Sequence, residues 1–275
     1  MLRGRTAVIA LLSASTVLAL ASGTAQAALP AAGTRQSADP HIVALGDSYM
    51  AGIGAGDYWE RDGCRRSVNS PAALWASDVA GALTDLSCPG AKVADVAQRL
   101  PLVPSGADIV LVQVGGNDVG FGTIAGACII GGTSSCVAAA QRAIAQARRL
   151  PTSLAALLSR TQGEAPGARV IALGYPSLVG MPAQCASSPA GSVISAESVL
   201  ALRRVQRSLD AAVRAAARSA GTAYLDWPLD VNAHSLCSPD PWYVLPGTGR
   251  LDDLLHPTVE ATRSMAAHLD ARAPR

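Results

Sequence analysis

The chain has 275 residues, of which 49% are hydrophobic and 15% are charged. This composition excludes a disordered chain, and the length is enough for one large domain with a buried core. The 22 basic and 20 acidic residues give a net charge of +2, an excess no larger than the two arginines Arg3 and Arg5 near the N-terminus. Nucleic-acid-binding proteins need a concentrated basic face, so we expect no nucleic-acid partner.

Residues 1–27 have the pattern of a secretory signal peptide. Two arginines precede an uncharged run, Ala7–Leu20, and a small-x-small cleavage site follows at 25–27. A membrane anchor fits this segment less well, because the apolar run is short and interrupted by Ser and Thr. We therefore expect a secreted, extracellular protein whose first mature residue is Ala28. Residues 28–40 are rich in Ala, Pro, Gly and Ser and are predicted to be a flexible N-terminus.

The cysteines predict disulfide bonds. Six of them follow the predicted signal peptide: Cys64, Cys88, Cys128, Cys136, Cys185 and Cys237. An even number in an exported chain predicts three disulfides, and spacing alone leaves every pairing open. No two have the Cys-x-x-Cys spacing of a metal or redox site, and the histidines are scattered along the chain, so we expect no metal.

Strands and helices are predicted to alternate along the chain. Five short apolar runs are typical of strands. In chain order they are His41–Leu45, Leu83–Ser87, Asp108–Gln113, Arg169–Leu173 and Thr222–Asp226. The predicted helices are Pro71–Ala80, Lys92–Leu100, a long helix from Ser134 or Ser135 through Leu158 that Pro151 can break, Glu197–Arg218 and Thr258–Ala271. We predict loops for Gly52–Ser70 and for the glycine-rich segment that holds Cys128 and Cys136.

This alternation predicts an α/β fold in which helices cover both faces of a parallel sheet. The chain shows no internal repeat and no linker, so residues 41–275 are predicted to form one domain. The long loops all follow strands and therefore gather at the carboxyl edge of the sheet. Ligands bind at this edge in open α/β sheets. The candidate site residues are therefore the polar residues that come directly after strands.

Four short motifs fall at this edge. Gly46-Asp47-Ser48 ends the first strand, Gly90 and Asn117 follow the next two, and Asp253 lies three residues before His256. Taken singly, each has an ordinary structural explanation, such as a helix cap for the serine or a turn for the glycine. Together they supply what acyl transfer requires, namely a nucleophile, a base, a carboxylate that orients the base, and donors for an oxyanion.

Each motif then has a chemical role. His256 removes the proton of Ser48 as the nucleophile attacks, and Asp253 accepts a hydrogen bond from the other ring nitrogen. The backbone N–H groups of Ser48 and Gly90 and the side-chain amide of Asn117 form the oxyanion hole. The chain contains no Gly-x-Ser-x-Gly sequence, which argues against the nucleophile elbow of the α/β-hydrolases.

The same motifs resemble the GDSL family of SGNH hydrolases, which is named for its Ser, Gly, Asn and His. The matching segments lie between residues 41 and 257 and are Gly46-Asp47-Ser48-Tyr49, Gly90, Gly115-Gly116-Asn117-Asp118 and Asp253-x-x-His256-Pro257. Tyr49 stands where the family name has leucine, at a position without a chemical role. Some related secreted esterases use a backbone carbonyl in place of the acid. Here Asp253 has the expected position, with Asp252 as a competing candidate.

The resemblance implies a three-layer α/β/α sandwich with a flavodoxin-like, five-stranded parallel sheet in the order 2-1-3-4-5. It also implies hydrolysis of carboxylic esters, including glycerides and phospholipids, without metal or cofactor. The six cysteines resemble those of secreted actinomycete lipases and esterases. That similarity implies sequential pairing, Cys64–Cys88, Cys128–Cys136 and Cys185–Cys237, so that each disulfide fastens a long loop.

We therefore predict a secreted, monomeric serine hydrolase of lipid esters that resembles lipases and phospholipases and makes transient contact with lipid surfaces. The candidates for an apolar acyl pocket are Met50, Phe121, Trp227, Trp242 and Tyr243, although ordinary packing explains these residues equally well. One alternative is an esterase for short acyl chains or acetylated sugars. Another is an inactive glycan- or wall-binding module on the same fold.

Overall fold

A computed structural model describes residues 39–245, 247 and 251–272. The predicted signal peptide lies outside the described residues, as does most of the predicted flexible N-terminus. The strands are His41–Gly46 (β1), Tyr58–Arg61 (β2), Cys64–Ser67 (β3), Ala82–Asp85 (β4), Ile109–Gln113 (β5), Arg169–Leu173 (β6) and Ala223–Leu225 (β7). The helices are Pro71–Asp78 (α1), Val93–Arg99 (α2), Phe121–Ile129 (α3), Gly132–Ala147 (α4), Leu150–Glu164 (α5), Pro182–Ala186 (α6), Ala196–Ala220 (α7), Leu229–Ala233 (α8) and Val259–Arg272 (α9).

Five of the strands form a parallel sheet in the order β4-β1-β5-β6-β7. Counting only these five strands, the order is 2-1-3-4-5, as predicted. Val43 in β1 pairs with Thr84 on one side and with Val110 on the other. Both central strands are buried because helices cover both faces of the sheet, which explains why they are continuously apolar rather than alternating.

The helices complete a three-layer α/β/α sandwich, which confirms the predicted fold class. α1 packs against α9, and α7 packs against α4, α5 and α6. α7 turns a regular row of buried apolar side chains inward, including Leu202, Val205 and Leu209. Ser195 caps its first turn, and Gly221 ends it in a left-handed conformation with φ 66°. No helix in the described part of the chain is long and apolar enough to cross a membrane.

The prediction of a loop over Gly52–Ser70 is wrong, because β2 and β3 form an antiparallel hairpin within this segment. Asp62 and Gly63 make the turn, and both have positive φ, 57° and 70°. An Asp-Gly pair is a known hairpin signal, so the sequence did contain evidence for this element. The hairpin is also held from outside its own sequence, since the buried Arg66 side chain donates to the Ser87 carbonyl at 2.8 Å.

The segment around Cys128 differs from prediction as well. It forms helix α3 rather than a loop, because Ile124, Ala125 and Cys128 share a buried face that outweighs the glycines. The predicted long helix is divided into α4 and α5, and Pro151 lies in the first turn of α5, where proline is tolerated.

The three disulfides confirm the sequential pairing that the resemblance implied. They join Cys64 to Cys88, Cys128 to Cys136 and Cys185 to Cys237. The first connects the β2–β3 hairpin to the loop after β4, and the second connects α3 to α4. All six cysteines are thereby used.

Candidate active site

Ser48 lies in the turn directly after β1, at the carboxyl edge of the sheet. The turn is held against β5, because the Asp47 N–H donates to the Gln113 carbonyl at 3.0 Å. A Cβ on Gly46 would lie 2.3 Å from the same carbonyl oxygen, closer than any side chain tolerates. Glycine is therefore required before the Asp-Ser pair, and this close approach fixes the direction in which Ser48 leaves the strand.

His256 reaches Ser48 from the other end of the chain. Its Nε2 lies 2.7 Å from Ser48 Oγ, although 208 residues separate them. Gly54 makes this approach possible because it has no side chain and has φ 97°. A Cβ added at this position would lie 2.4 Å from the Pro257 carbonyl oxygen and 3.0 Å from His256 Cβ. The predicted nucleophile and the predicted base are thus within hydrogen-bonding distance.

The other ring nitrogen does not meet the predicted acid. His256 Nδ1 lies 3.1 Å from the backbone carbonyl of Leu254, which takes the position expected for Asp253 or the competing Asp252. The Asp253 carboxylate instead forms an ion pair with Arg65. The expected Ser-His-Asp arrangement is therefore wrong for this structure. The reason is that a guanidinium offers a carboxylate a stronger, charge-assisted bond than a neutral imidazole does.

Burial lowers the pKa of His256 below its usual 6.5, and the hydrogen bonds with Leu254 and Asp253 oppose this effect. At neutral pH the imidazole is therefore uncharged. Because the Leu254 carbonyl can only accept, it selects the tautomer with the proton on Nδ1. Nε2 then carries the free lone pair and faces the Ser48 hydroxyl, which is the arrangement that a general base needs.

The predicted oxyanion donors lie in two loops beside Ser48. Within the described residues, neither the Ser48 N–H nor the Gly90 N–H has a backbone acceptor. Gly90 is exposed and has φ 81°, a left-handed conformation that favours glycine. The Asn117 side chain lines the same pocket as Ser48, and its Nδ2 donates to the Ala91 carbonyl at 3.1 Å. That bond leaves the second amide hydrogen of Asn117 for a ligand.

A buried hydrogen-bond network, which the sequence did not predict, connects the loops that follow β1, β5 and β6. The Tyr175 hydroxyl, after β6, donates to Asp47 Oδ2 at 2.5 Å and accepts from the Gly116 N–H at 3.0 Å. Asp47 Oδ1 also accepts from the Tyr49 N–H at 3.0 Å. Burial raises the pKa of Asp47 from 3.8 to about 7, although these bonds lower it. Tyr175 thereby links the turn that carries Ser48 to the loop that carries Asn117.

A largely apolar cavity adjoins the Ser48 pocket. The pocket lined by Ser48 and Asn117 shares Phe121, Gln206 and Leu209 with a second cavity of about 90 Å³. The apolar residues that also line this second cavity are Val119, Ile124, Leu178, Val179, Leu202 and Val205. Arg203, Arg207 and Asp210 also line the second cavity. We refer to the two adjoining cavities as the apolar groove, after their predominantly apolar lining.

Of the aromatic and methionine candidates for an acyl pocket, Phe121 lines the apolar groove and the others have packing roles. Met50 is fully buried in the core, and Trp227 packs edge-on against Tyr49. Trp242 stacks on His234 with ring centroids 3.9 Å apart. Tyr243 is buried and donates to the Ser177 carbonyl at 3.0 Å. Ordinary packing therefore explains Met50, Trp227, Trp242 and Tyr243. In the described ranges, no cluster of three or more His, Cys, Asp or Glu could hold a metal ion.

Comparison with known proteins shows which family this chain belongs to. The model of the GDSL-like Lipase/Acylhydrolase family matches residues 44–263. A lipase from Streptomyces rimosus is 36% identical over 204 residues, which is 73% of this chain and 74% of the relative. The crystal structure of phospholipase A1 from Streptomyces albidoflavus NA297 covers 86% of this chain and 100% of its own, with a TM-score of 0.78 and 28% identity. The crystal structure of the extracellular lipase from Streptomyces rimosus covers 84% of this chain and 99% of its own, with a TM-score of 0.77 and 33% identity. The chain therefore belongs to the GDSL-like lipase/acylhydrolase family.

Proposed function

We propose that the protein is a secreted serine hydrolase of lipid carboxylic esters, with Ser48 as the nucleophile and His256 as the general base. The distance of 2.7 Å between His256 Nε2 and Ser48 Oγ carries this proposal. A serine hydroxyl is a weak nucleophile until a neighbouring base takes its proton. The lowered pKa of His256 keeps the base uncharged at neutral pH.

In the first half of the reaction, Ser48 Oγ attacks the ester carbonyl carbon while its proton moves to His256 Nε2. The imidazolium that forms is held by the Leu254 carbonyl at Nδ1. The negative oxygen of the tetrahedral intermediate is bound by the N–H groups of Ser48 and Gly90 and by the Asn117 amide. The C–O bond of the ester then breaks, and His256 gives its proton to the leaving alcohol.

The second half repeats these steps with water. His256 takes a proton from a water molecule, which attacks the acyl-enzyme on Ser48. The same donors stabilise the second tetrahedral intermediate, and its collapse releases the carboxylic acid and returns the proton to Ser48. Each step uses only the side chains and backbone groups described above.

A lipid substrate is supported by the apolar groove. An acyl chain on Ser48 would lie against Phe121 and Leu209 and extend toward Val205 and Ile124. Removing an aliphatic chain from water into such a surface contributes about 0.8 kcal/mol per buried methylene. The names of the relatives, lipase and phospholipase A1, point to the same class of ester.

Secretion is supported by the three disulfides, which persist in oxidising compartments, and by the extracellular lipase from Streptomyces rimosus among the similar structures. The segment 1–27 supplies the predicted export signal. Determining the N-terminal sequence of protein recovered from the culture medium tests this part of the proposal. We expect the sequence to begin at Ala28.

The activity is tested with chromogenic esters of increasing acyl length and one phospholipid, using wild type, Ser48→Ala and the control Ser153→Ala on the exposed face of α5. Ser48→Ala should lower kcat by at least about a thousandfold, because the nucleophile is lost. The control should match wild type. Equal rates of hydrolysis for Ser48→Ala and wild type would refute the role of Ser48, and no hydrolysis by wild type would indicate a binding module. A maximum at acetate would indicate a short-chain or acetyl esterase instead.

A further inference from the structure

The β2–β3 hairpin brings the side chains of Tyr58 and Arg65 against the segment that carries Asp253 and His256. Arg65 pairs through Nη2 with Asp253 Oδ1, and the two side chains are only 13% and 11% exposed. The Arg65 guanidinium also lies over the Tyr58 ring, 4.2 Å from its centroid. We call Arg65, Asp253 and Tyr58 the hairpin cluster. Arg65 and Asp253 are 188 residues apart in the sequence, so the fold alone brings them together.

The cluster touches the segment that carries His256 at two places. The Asp253 carbonyl accepts from the His256 N–H at 3.2 Å, so the residue paired with Arg65 also begins the turn that presents the imidazole. On the other side, the Tyr58 hydroxyl accepts from the Gly54 N–H at 2.8 Å. Gly54 is the residue whose backbone lies against His256 and Pro257. The cluster therefore fixes both surfaces between which His256 is held.

The hairpin is itself fastened to the sheet. Cys64, next to Arg65, forms a disulfide with Cys88, and the Cys88 N–H donates to the Gly46 carbonyl at 2.9 Å. Gly46 belongs to the strand end that carries Ser48. A continuous covalent and hydrogen-bonded path thus runs from the Ser48 turn through the hairpin to Asp253.

We infer that Arg65 and Asp253 are positioning residues, which hold the turn before His256 so that the Leu254 carbonyl, and not a carboxylate, orients the imidazole. This inference rests on the proposed role of His256 as the base. It explains why an aspartate with the spacing of a catalytic acid does not contact the histidine. Arg65 binds that carboxylate through a charge-assisted bond that is mostly shielded from solvent, where such a bond is strong.

The chain contains a matched control for this cluster. Arg214 pairs with Asp226 at 2.8 Å and lies over the Tyr224 ring, 4.5 Å from its centroid. The Tyr224 hydroxyl bonds to Asp226. The residue types, the ion pair and the ring beside the guanidinium are thus the same as in the hairpin cluster. The tyrosine hydroxyls differ, since that of Tyr224 bonds to the aspartate and that of Tyr58 accepts from a backbone N–H. This second pair is about half exposed and joins α7 to the end of β7, away from the elements that carry Ser48 and His256.

The experiment compares Arg65→Met, Asp253→Asn and the double variant with Arg214→Met and Asp226→Asn. We expect each change at the hairpin cluster to lower kcat about tenfold with KM changed less than about threefold, because orientation of the base affects the transition state. The double variant should be no slower than the slower single variant, since both changes break one link. The control variants should retain kcat within about twofold of wild type.

The pH dependence of kcat/KM gives a second measurement that a purely structural role would not alter. The negative charge of Asp253 raises the pKa of His256 and the positive charge of Arg65 lowers it. The midpoint should therefore fall in Asp253→Asn and rise in Arg65→Met. Tyr58→Phe keeps the ring under the guanidinium and removes the hydroxyl bond to Gly54. It should lower kcat severalfold, and it provides the test if a charge variant fails to fold.

Three results would overturn the inference. A loss of about a thousandfold or more in Asp253→Asn, with Arg65→Met unaffected, would show that Asp253 acts directly on His256. Unchanged kcat and pH midpoint in all cluster variants would show that the cluster is only structural. Equal losses at the hairpin and control pairs would show a general effect of losing an ion pair. Activity that survives Ser48→Ala would refute the proposed function itself, and the two failures are therefore distinguishable.

Discussion

Replacing Asp47 by asparagine should make the folded protein more stable at pH 8 and less stable at pH 4. The Asp47 carboxylate is buried beside Ser48, where it accepts hydrogen bonds from the Tyr175 hydroxyl and the Tyr49 N–H. Burial raises its pKa from 3.8 to about 7, and the nearby charge of Asp118 acts in the same direction. The protein therefore holds a carboxylate where its ionisation is unfavourable.

The magnitude follows from the two pKa values. Between pH 3.8 and about 7 the folded state binds more protons than the unfolded state, so stability falls as the pH rises through this interval. Each pKa unit corresponds to about 1.4 kcal/mol, so ionised Asp47 costs about 4 kcal/mol above pH 7. Asparagine avoids this cost but loses the acceptor for the Tyr175 hydroxyl, worth about 1–3 kcal/mol. The net gain at pH 8 is therefore about 1–3 kcal/mol.

Denaturant unfolding of wild type and Asp47→Asn at half-unit steps between pH 4 and pH 8 measures this difference. Other titrating groups are the same in both proteins and cancel. Asp226→Asn is the control, because Asp226 also accepts from a tyrosine hydroxyl but is exposed to solvent. We expect the free energy of unfolding of Asp47→Asn, relative to that of wild type, to increase as the pH rises. A relative value that stays constant or decreases over this range would refute the assignment of a raised pKa to Asp47.

Two further predictions concern the proposed chemistry. Asn117→Ala should lower kcat by about a hundredfold to a thousandfold, because one oxyanion donor is lost. Asn69→Ala is the control, because it removes an amide that likewise donates to a backbone carbonyl, and it should leave kcat unchanged. Equal rates for the two variants would contradict the oxyanion role of Asn117. In wild type, kcat/KM should fall on acidification with a midpoint below 6.5, because the base must be unprotonated and burial lowers the pKa of His256. A midpoint above 7 would indicate that another group controls the rate.

The sequence by itself determined the fold class and the two residues, Ser48 and His256, whose side chains meet at the site. The alternation of apolar strands with helices sufficed for the parallel sheet, because burial on both faces leaves continuous hydrophobic runs in local sequence. Ser48 and His256 could be predicted because each follows a recognisable local motif at the end of an element. Gly90 and Asn117 were predicted as oxyanion donors from the same kind of motif, and that role stays a prediction. Such motifs can be recognised in a few consecutive residues, because the backbone at a turn restricts which residue type fits there. At Gly46, for example, there is no room for a side chain.

The tertiary structure alone decided which groups surround these residues. Spacing placed Asp253 three residues before His256, yet its carboxylate binds Arg65 from a hairpin that was predicted to be a loop. The Tyr175 hydroxyl joins the loops after β1 and β5 although nothing near it in sequence indicates a partner. A buried charge or hydroxyl bonds to the best donor or acceptor within reach. In a folded chain that group comes from any element packed nearby, so local sequence does not specify it.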